Sequence, residues 1–532
     1  MREAALASAA SAALAGLLLW LGPPGNDLPA HLYQRDLFLH HGFVLWNNFW
    51  YAGRYSFVTY SFLYYPLAAA LGIKILALVS IAAAALAFTL LVVREWGRTV
   101  LVAGWAFAIV WPGTVLSAAF PFSLGTALAL FALCALQVGR PRLFVLLALL
   151  SLAASPLAFA FLALVLVGIG AAEWRQKLRA RVAAIPLGVV IAGILVELLL
   201  FRLFAGGGRY PFHVPDLVQA LAFAALGLAA TLRVQRANGL AGIFAVYGLS
   251  CVAVFFVPVE LGGNIARLRY AAVPLVILVV VLCRWRPLRL VVPLVVFACV
   301  WNLGALAGNF ERSAADPTAE RAYWSPAIMF LESHLTRDYR VEAVDTVGHW
   351  PAAYLPEAGI PLARGWYRQD DFPENRILYG TYGSRAYRAW LRSLGVRYVV
   401  LSDGPSDYSS FAERVLLESG RSGLSVAFRS THVTVFRVPR PRPLVTGPAR
   451  ATVVGLLPTR VFVRVAAAGR YRIAIRFSPY WRTFEGCLSR ASDGMLNLTV
   501  GRPGLIDLDF KVNVHRSVSV LTGSTPAQLC GG

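Results

Sequence analysis

Eleven apolar stretches, with basic clusters in every second gap between them, restrict this chain to a fold that crosses a lipid bilayer many times. A crossing helix needs roughly 20 mostly apolar residues. The pattern predicts spans over 4–21, 70–93, 99–117, 121–138, 143–154, 156–172, 182–204, 214–232, 239–257, 265–283 and 288–306. The stretches 143–154 and 156–172 are each short for a full crossing. Ser155-Pro156 separates them, and proline both removes a backbone donor and disfavours helix just before it. Two partial helices meeting at a turn are expected, with one kinked span as the alternative.

The connectors set the orientation. Arg94/Arg98, Arg140/Arg142, Arg175/Lys177/Arg179/Arg181, Arg233/Arg236 and Arg284/Arg286/Arg289 fill one set, whereas the opposite short connectors hold only Arg209 and the pair Arg267/Arg269. The first set is expected to be cytoplasmic. The N-terminus is then inside, and the loop 22–65 and everything after the last span are extracytoplasmic. Counting 143–172 as one span would break this alternation. Residues 1–21 read as a retained signal anchor, because the apolar stretch runs straight to Leu21 without a polar cleavage region; a cleaved signal peptide is the alternative.

Charge explains the division of the chain. Only 14% of residues are charged, well below the roughly 25% of soluble domains. Residues 1–306 hold 8 of the 27 acidic groups, and the other 19 lie in 307–532. A domain boundary is therefore expected near Gly308: a multi-span domain over 1–308, then a mixed α/β domain over 309–440 and a β-sandwich-like domain over 441–532. The net charge of +22 does not indicate nucleic acid, because thirteen basic residues sit in the five connectors that set orientation. Only three of the 49 basic residues are lysines, a bias that suggests a high-GC bacterial genome and hence a bacterial plasma membrane.

In the C-terminal half, 320–336, 386–394 and 410–419 read as helices, and 340–345, 396–402 and 432–438 as strands. The proline-rich stretch 438–444 reads as a linker. Beyond it, 461–465, 471–477, 495–500 and 506–514 have the alternation of strands. Tyr480-Trp481 with Phe484 could face a sugar or fill the sandwich core. Cys487 and Cys530 could form a disulfide if this half is exported.

Polar chemistry in the apolar half concentrates after the first span. Asp27 or Asn26 can cap a helix whose first turn holds Pro29; His31 and Arg35 then share a face, with Asp27 beside His31. A carboxylate beside an imidazole can take a proton from a hydroxyl, although a capped interfacial helix has the same spacing. The run Trp46-Asn47-Asn48-Phe49-Trp50-Tyr51-Ala52-Gly53-Arg54-Tyr55 suits either anchoring at the membrane–water interface or stacking on sugar rings. Arg267 and Arg269 can hold a phosphate through paired hydrogen bonds, or pair with Glu260 or lipid headgroups. Lys74 can reach a phosphate or snorkel at a helix end. A divalent metal between Asp27 and Asp36 is conceivable, but nothing demands one. No His/Cys cluster has zinc spacing, and no cofactor is indicated.

Asp27-Leu28-Pro29-x-His31 after the first span, followed by Trp, Gly and aromatic–Pro, resembles the GT-C-type membrane glycosyltransferases. It is most similar to the bacterial 6-pyruvoyl-tetrahydropterin-synthase-related membrane family, a label that implies no pterin chemistry here. Gly262-Gly263-Asn264-Ile265-Ala266-Arg267-Leu268-Arg269-Tyr270 resembles a recurring loop of that family, and Ser478-Pro479-Tyr480-Trp481-Arg482 with Asp493-Gly494 resembles the exported β-domain of related polytopic proteins. The resemblance implies a polyprenyl-phosphate-linked sugar donor, an envelope glycan or lipid acceptor, and an acidic catalytic residue in the first external loop. That role falls to Asp27, with Asp36 as second choice and His31 orienting the reactants. A non-catalytic, glycan-binding envelope protein and a lipid or polysaccharide transporter are the rival expectations.

An impermeant label offered to intact cells is expected to react with a reporter placed in residues 22–65; reaction only after lysis would put this loop inside.

Overall fold

The structure is a computed structural model and describes residues 1–58, 60–175, 184–206, 208–257, 259–524 and 529–530. Lys177, Arg179 and Arg181 lie outside the described residues. The chain divides into two compact units: Met1–Leu28, Tyr60–Leu198 and Gly208–Ala315 form the first, and Pro29–Thr59, Leu199–Gly207 and Asp316–Gly532 the second.

Apolar runs become helices because backbone groups inside a bilayer must satisfy one another. Among the described residues nine helices are long and apolar enough to cross: Arg2–Leu21, Ile73–Trp96, Arg98–Ser117, Phe120–Gln137, Ala184–Leu203, Val214–Thr231, Gln235–Phe256, Gly262–Leu282 and Leu288–Ala314. Pro141–Ala154 and Pro156–Arg175 are two further helices. The chain is a multi-pass membrane protein. Ser155 separates these last two with an extended backbone (ψ 110°). Its Oγ accepts the Ala158 N–H at 3.3 Å, an N-cap that starts the second helix. Helix Phe120–Gln137 passes so close that a Cβ on Gly125 would stand 2.7 Å from the Ala158 Cβ and 2.9 Å from the Ser155 Cβ.

Hydrogen bonds of the first unit sort the helix ends into two faces. On one face the Asp27 N–H donates to Ser117 O (3.1 Å), the Phe62 N–H to Ala153 O (2.9 Å) and Ser313 Oγ to Asn26 (2.9 Å). On the other, Trp96 Nε1 donates to Arg236 O (2.7 Å) and Gln137 Nε2 to Glu95 (2.9 Å). This sorting is the alternation of eleven segments, with the Ser155 turn on the same face as Asp27. One kinked span over 143–172 would have reversed every later contact. The last helix continues to Ala314, so the compositional break near Gly308 falls inside it.

The second unit contains two sheet systems. In the first, Arg340–Ala343 runs parallel to Val396–Ser402, which pairs antiparallel with Val433–Arg437, and that strand pairs with Ser425–Arg429. Helices Arg321–His334, Ser384–Ser393 and Phe411–Glu418 accompany it. Tyr387, Trp390, Leu391, Val399 and Leu417 belong to its core. After the irregular stretch 438–444 come two four-stranded sheets. One has the order Gly486–Arg490, Met495–Val500, Gly469–Arg476, Val445–Thr446; the other Trp481–Arg482, Gly504–Phe510, Arg460–Val465, Ala451–Leu456. Alternation drives them: Val461, Val463 and Val465 are buried while Arg460 and Arg464 face out. Tyr480 and Trp481 are core residues and Phe484 is exposed. Cys487 and Cys530 form a disulfide. The strand expected over 506–514 stops at Phe510, because Asn513 Oδ1 accepts the Arg516 N–H at 2.8 Å and caps a helix over Val514–Thr522.

The loop after the first span folds into this second unit. Trp46–Asn47 pairs with Arg54–Tyr55 in a two-stranded hairpin. Tyr51 and Ala52 take positive φ values near 58° between them, and a Cβ on Gly53 would meet the Trp46 ring at 2.6 Å. Trp46 stacks on Phe510 (4.9 Å between ring centres) and meets Trp481 edge-on at 5.9 Å. The Asn48 side chain donates to Leu457 O at 2.8 Å. Trp46, Trp50 and Tyr51, which suited interfacial anchoring or sugar stacking, are all buried. Their area is spent against residues hundreds of positions away.

Replacing Trp46 by Ala is expected to destabilise the second unit by about 3–5 kcal/mol, seen as a lower denaturant midpoint of the full chain in detergent. An unchanged midpoint would remove Trp46 from the core.

Candidate functional site

Asp27 is positioned by a loop that leaves the first helix at Leu21. Pro23 and Pro24 prevent the helix continuing. Gly25 then lies against 115–118, where a Cβ would meet Ala118 N at 2.4 Å and Val115 O at 2.5 Å. The Leu28 N–H closes a turn onto Gly25 O (3.0 Å), and the Asp27 N–H donates to Ser117 O (3.1 Å). The Asp27 carboxylate therefore projects from a fixed backbone.

Its partner arrives from the other end of the unit's sequence. Arg267 lies on the 3-10 turn Gly262–Ala271. This turn packs closely on Tyr210, whose carbonyl oxygen would stand 2.0 Å from a Cβ on Gly262 (φ +39°). Arg267 Nη2 donates to Asp27 Oδ2 at 3.1 Å, with the side chains 19% and 13% exposed. Both are shielded yet reachable by solvent. Tyr60, Tyr210 and Tyr270 lie within electrostatic reach of the same guanidinium. Arg269 lies over the Tyr270 ring (5.6 Å), and its Nε has no hydrogen-bond partner among the described residues. Lys74 is exposed, with its ammonium 5.8 Å from the Trp20 ring.

The other sequence candidates fall in the second unit. His31 is fully buried and Arg35 half-buried. Asp36 is 40% exposed and pairs with His40 at 3.1 Å. Asn47 is buried, its Oδ1 accepting from the Phe49 N–H (3.0 Å) and Tyr33 Oη (3.2 Å). Trp50 Nε1 donates to Ala352 O (2.9 Å) and Tyr51 Oη to Gly365 O (2.9 Å). Arg54 pairs with Asp370 at 2.5 Å and lies 4.0 Å from the Tyr367 ring centre. Asn47, Trp50, Tyr51 and Arg54 thus lie buried in and around the hairpin.

Beside this hairpin lies a buried charge network that the sequence reading did not single out. Arg364 forks onto Asp371 (3.2 and 3.0 Å), donates to Ser409 and Ser410, and lies 3.8 Å from Glu342 and 3.9 Å from Glu413. Arg368 contacts Asp345 and lies 3.3 Å from Asp407. His349 Nδ1 stands 2.5 Å from Asp345. With Arg54 and Asp370, three guanidiniums face six carboxyl groups in a region that is at most a tenth exposed. Two arginines followed by two aspartates, Arg364, Arg368, Asp370 and Asp371, were the available signal.

Six buried carboxylates cannot all be charged against three guanidiniums without a large desolvation cost. Neither Glu342 oxygen accepts a hydrogen bond among the described residues, and burial followed by the nearby Glu413 pushes Glu342 well above the ordinary range. Burial and Glu413 thus favour its neutral form. Asp407 goes the other way: burial raises it, but Arg368 and His349 outweigh that and hold it below the ordinary carboxylate range. Nearby, burial and then Arg476 and Arg472 bring Arg340 down to about 9. Arg340 donates to Leu394 O (2.8 Å) and Ala474 O (2.7 Å), tying the two sheet systems together. The network's enclosure suits it to holding the unit together rather than to receiving a substrate.

The fold and the paired Asp27 and Arg267 define a polytopic membrane protein with a strand-rich C-terminal unit and a charged site at one face of its helices. No protein-family model matches the chain, and no curated protein matches it in sequence. Among solved structures, the arabinofuranosyltransferase AftD from Mycobacteria is similar with a TM-score of 0.46 and 17% identity, covering 97% of this chain and 40% of that one. A mutant form of AftD is similar with a TM-score of 0.46 and 18% identity, covering 97% and 42%. The chain thus spans about two fifths of the length of these structures.

Because Glu342 is raised in the folded state, its contribution to stability is complete below the ordinary glutamate value and is lost as pH rises through its folded value. As pH rises above the ordinary glutamate value the wild type is therefore expected to lose more thermal stability than Glu342→Gln. Equal losses in the two proteins would show that Glu342 holds no proton.

Proposed function

We propose that this chain is a membrane glycosyltransferase of the GT-C type. It takes a sugar from a polyprenyl-phosphate-linked donor at the extracytoplasmic face and transfers it to an envelope glycan or lipid. The observation that carries this reading is the Asp27–Arg267 pair: a carboxylate and a guanidinium, 3.1 Å apart and partly shielded, on the helix-end face opposite the basic connectors. A transfer with inversion needs one group of each kind. Asp27 accepts the acceptor hydroxyl proton while that oxygen attacks the anomeric carbon. The bond from this carbon to the phosphate oxygen breaks, and the electron pair leaves with the phosphate. Arg267, with Arg269 beside it in sequence, stabilises the negative charge that develops there. The buried His31 and the Asp36–His40 pair are left out of this chemistry. The Cys487–Cys530 disulfide supports export of the second unit, since such bonds persist in oxidising compartments.

The test is transfer by the purified full chain from a panel of polyprenyl-phosphate sugars to extracted envelope glycan. Asp27→Asn is expected to lower turnover by about 10²–10⁴-fold with an unchanged unfolding profile. Undiminished turnover in a folded variant would discard the catalytic assignment.

A further inference from the structure

A helix on an aqueous surface buries its apolar stripe and shows its polar face. The helix Val514–Thr522 of the second unit does the opposite. It buries Arg516 and Ser519, at 4% and 7% exposure, and shows Val514, Val518 and Leu521, at 82%, 51% and 41%. Those three are spaced i, i+4 and i+7, so they form one line along the helix. His515 and Thr522, both exposed, flank the line on one side. The orientation is held by the buried face. Arg516 Nη1 donates to Pro479 O (2.7 Å) and Trp481 O (2.9 Å), the carbonyls on either side of Tyr480. The Lys511 N–H donates to Tyr480 O (3.1 Å), which fixes the chain just before the helix.

The surroundings of Tyr480 indicate what covers the line. The Tyr480 ring centre lies 5.6 Å from that of Phe204, and Phe204 directly follows the crossing helix Ala184–Leu203. Leu199–Gly207 belongs to the same compact unit as Tyr480. A crossing helix ends at a bilayer surface, so Phe204 stands at that surface with Tyr480 beside it. Phe484 extends the patch: it is 79% exposed, its ring lies 5.7 Å from the Arg482 guanidinium, and Arg482 is within electrostatic reach of Arg516. No acidic residue occurs from Lys511 to Ser524, and Lys511 is exposed, which suits anionic headgroups. We propose that the helix Val514–Thr522 lies in the membrane interface, with Val514, Val518 and Leu521 set into lipid at the boundary of headgroups and acyl chains. A free helix of nine residues would bind a bilayer weakly. Here the crossing helices already keep the chain at the bilayer, so the contact is intramolecular in effect and small gains suffice. The contact ties the strand-rich part of the second unit to the lipid surface through its own residues.

The test uses the full chain in liposomes of phosphatidylcholine and phosphatidylglycerol. Val514→Cys, Val518→Cys, Leu521→Cys and, on the flank, His515→Cys are each labelled with a polarity-sensitive thiol fluorophore, and the parent chain is labelled in parallel as the blank. All four positions are exposed and outside the core. The quencher is a phosphatidylcholine carrying a nitroxide near the top of its acyl chain. An interfacial helix sinks its apolar face roughly 5–10 Å into this boundary, so the probes at 514, 518 and 521 are expected to shift to the blue and to be quenched by the nitroxide lipid, each more than the probe at 515. Emission as in water without lipid quenching at 514, 518 and 521 would overturn the proposal. A blue shift without lipid quenching would overturn it too, because a second copy or another protein would then cover the line. Equal quenching at 515 would overturn the stated face. Val518→Asp combined with Leu521→Asp, read by the probe at 514, is expected to abolish both the shift and the quenching; their persistence would show that the line does not hold the helix in lipid.

Discussion

A bilayer offers no water to backbone N–H and C=O groups, so every crossing segment must close its hydrogen bonds within itself. That constraint turns the apolar runs into helices and, through their number, decides which helix ends share a face. Asp27, Ser117, Ala153 and Ser313 come together on one face because an odd or even count of crossings puts them there. The Ser155 turn is the sensitive point. The extended backbone at Ser155 and its N-cap to Ala158 keep two helices where one kinked span would have placed Arg267 on the face opposite Asp27.

The second unit solves a different problem. Its core takes in a hairpin from near the start of the chain, and the residues that hold this hairpin are mostly charged or aromatic. Arg54 brings a cation to Asp370, Trp50 and Tyr51 donate to backbone carbonyls, and Trp46 fills space against Trp481 and Phe510. Burying so many carboxyl groups is tolerable only because arginines lie against them. The network beside the hairpin therefore specifies which segment belongs there. An apolar contact of equal area would accept a wider range of partners, whereas an unpaired Asp370 or Arg54 would be costly.

The contrast between the two arginine sites also separates scaffold from chemistry. Arg364 and Arg368 are enclosed and contacted from several sides. Arg267 meets Asp27 with both side chains partly exposed, and phenols lie nearby. Burial and the number of contacts distinguish them, since residue type does not.

The sequence alone determined the membrane class, the boundaries of most crossing helices and the strands 396–402 and 495–500, and it singled out Asp27 and Arg267 as separate candidates. These are local properties: apolar length, period-two alternation, proline breaks and isolated charge in an apolar half. Where a local signal has two meanings, the sequence could not choose. Val512 and Val514 continue an alternating pattern, yet Asn513 caps a helix there. Trp46, Trp50 and Tyr51 have the composition of an interfacial belt, a sugar platform or a core. Only tertiary structure decided that these rings are core, that Arg54 pairs with Asp370, and that Asp27 and Arg267, 240 residues apart, meet. The physical reason is that burial and ion pairing depend on which distant segments share space, and no local pattern encodes a partner's position.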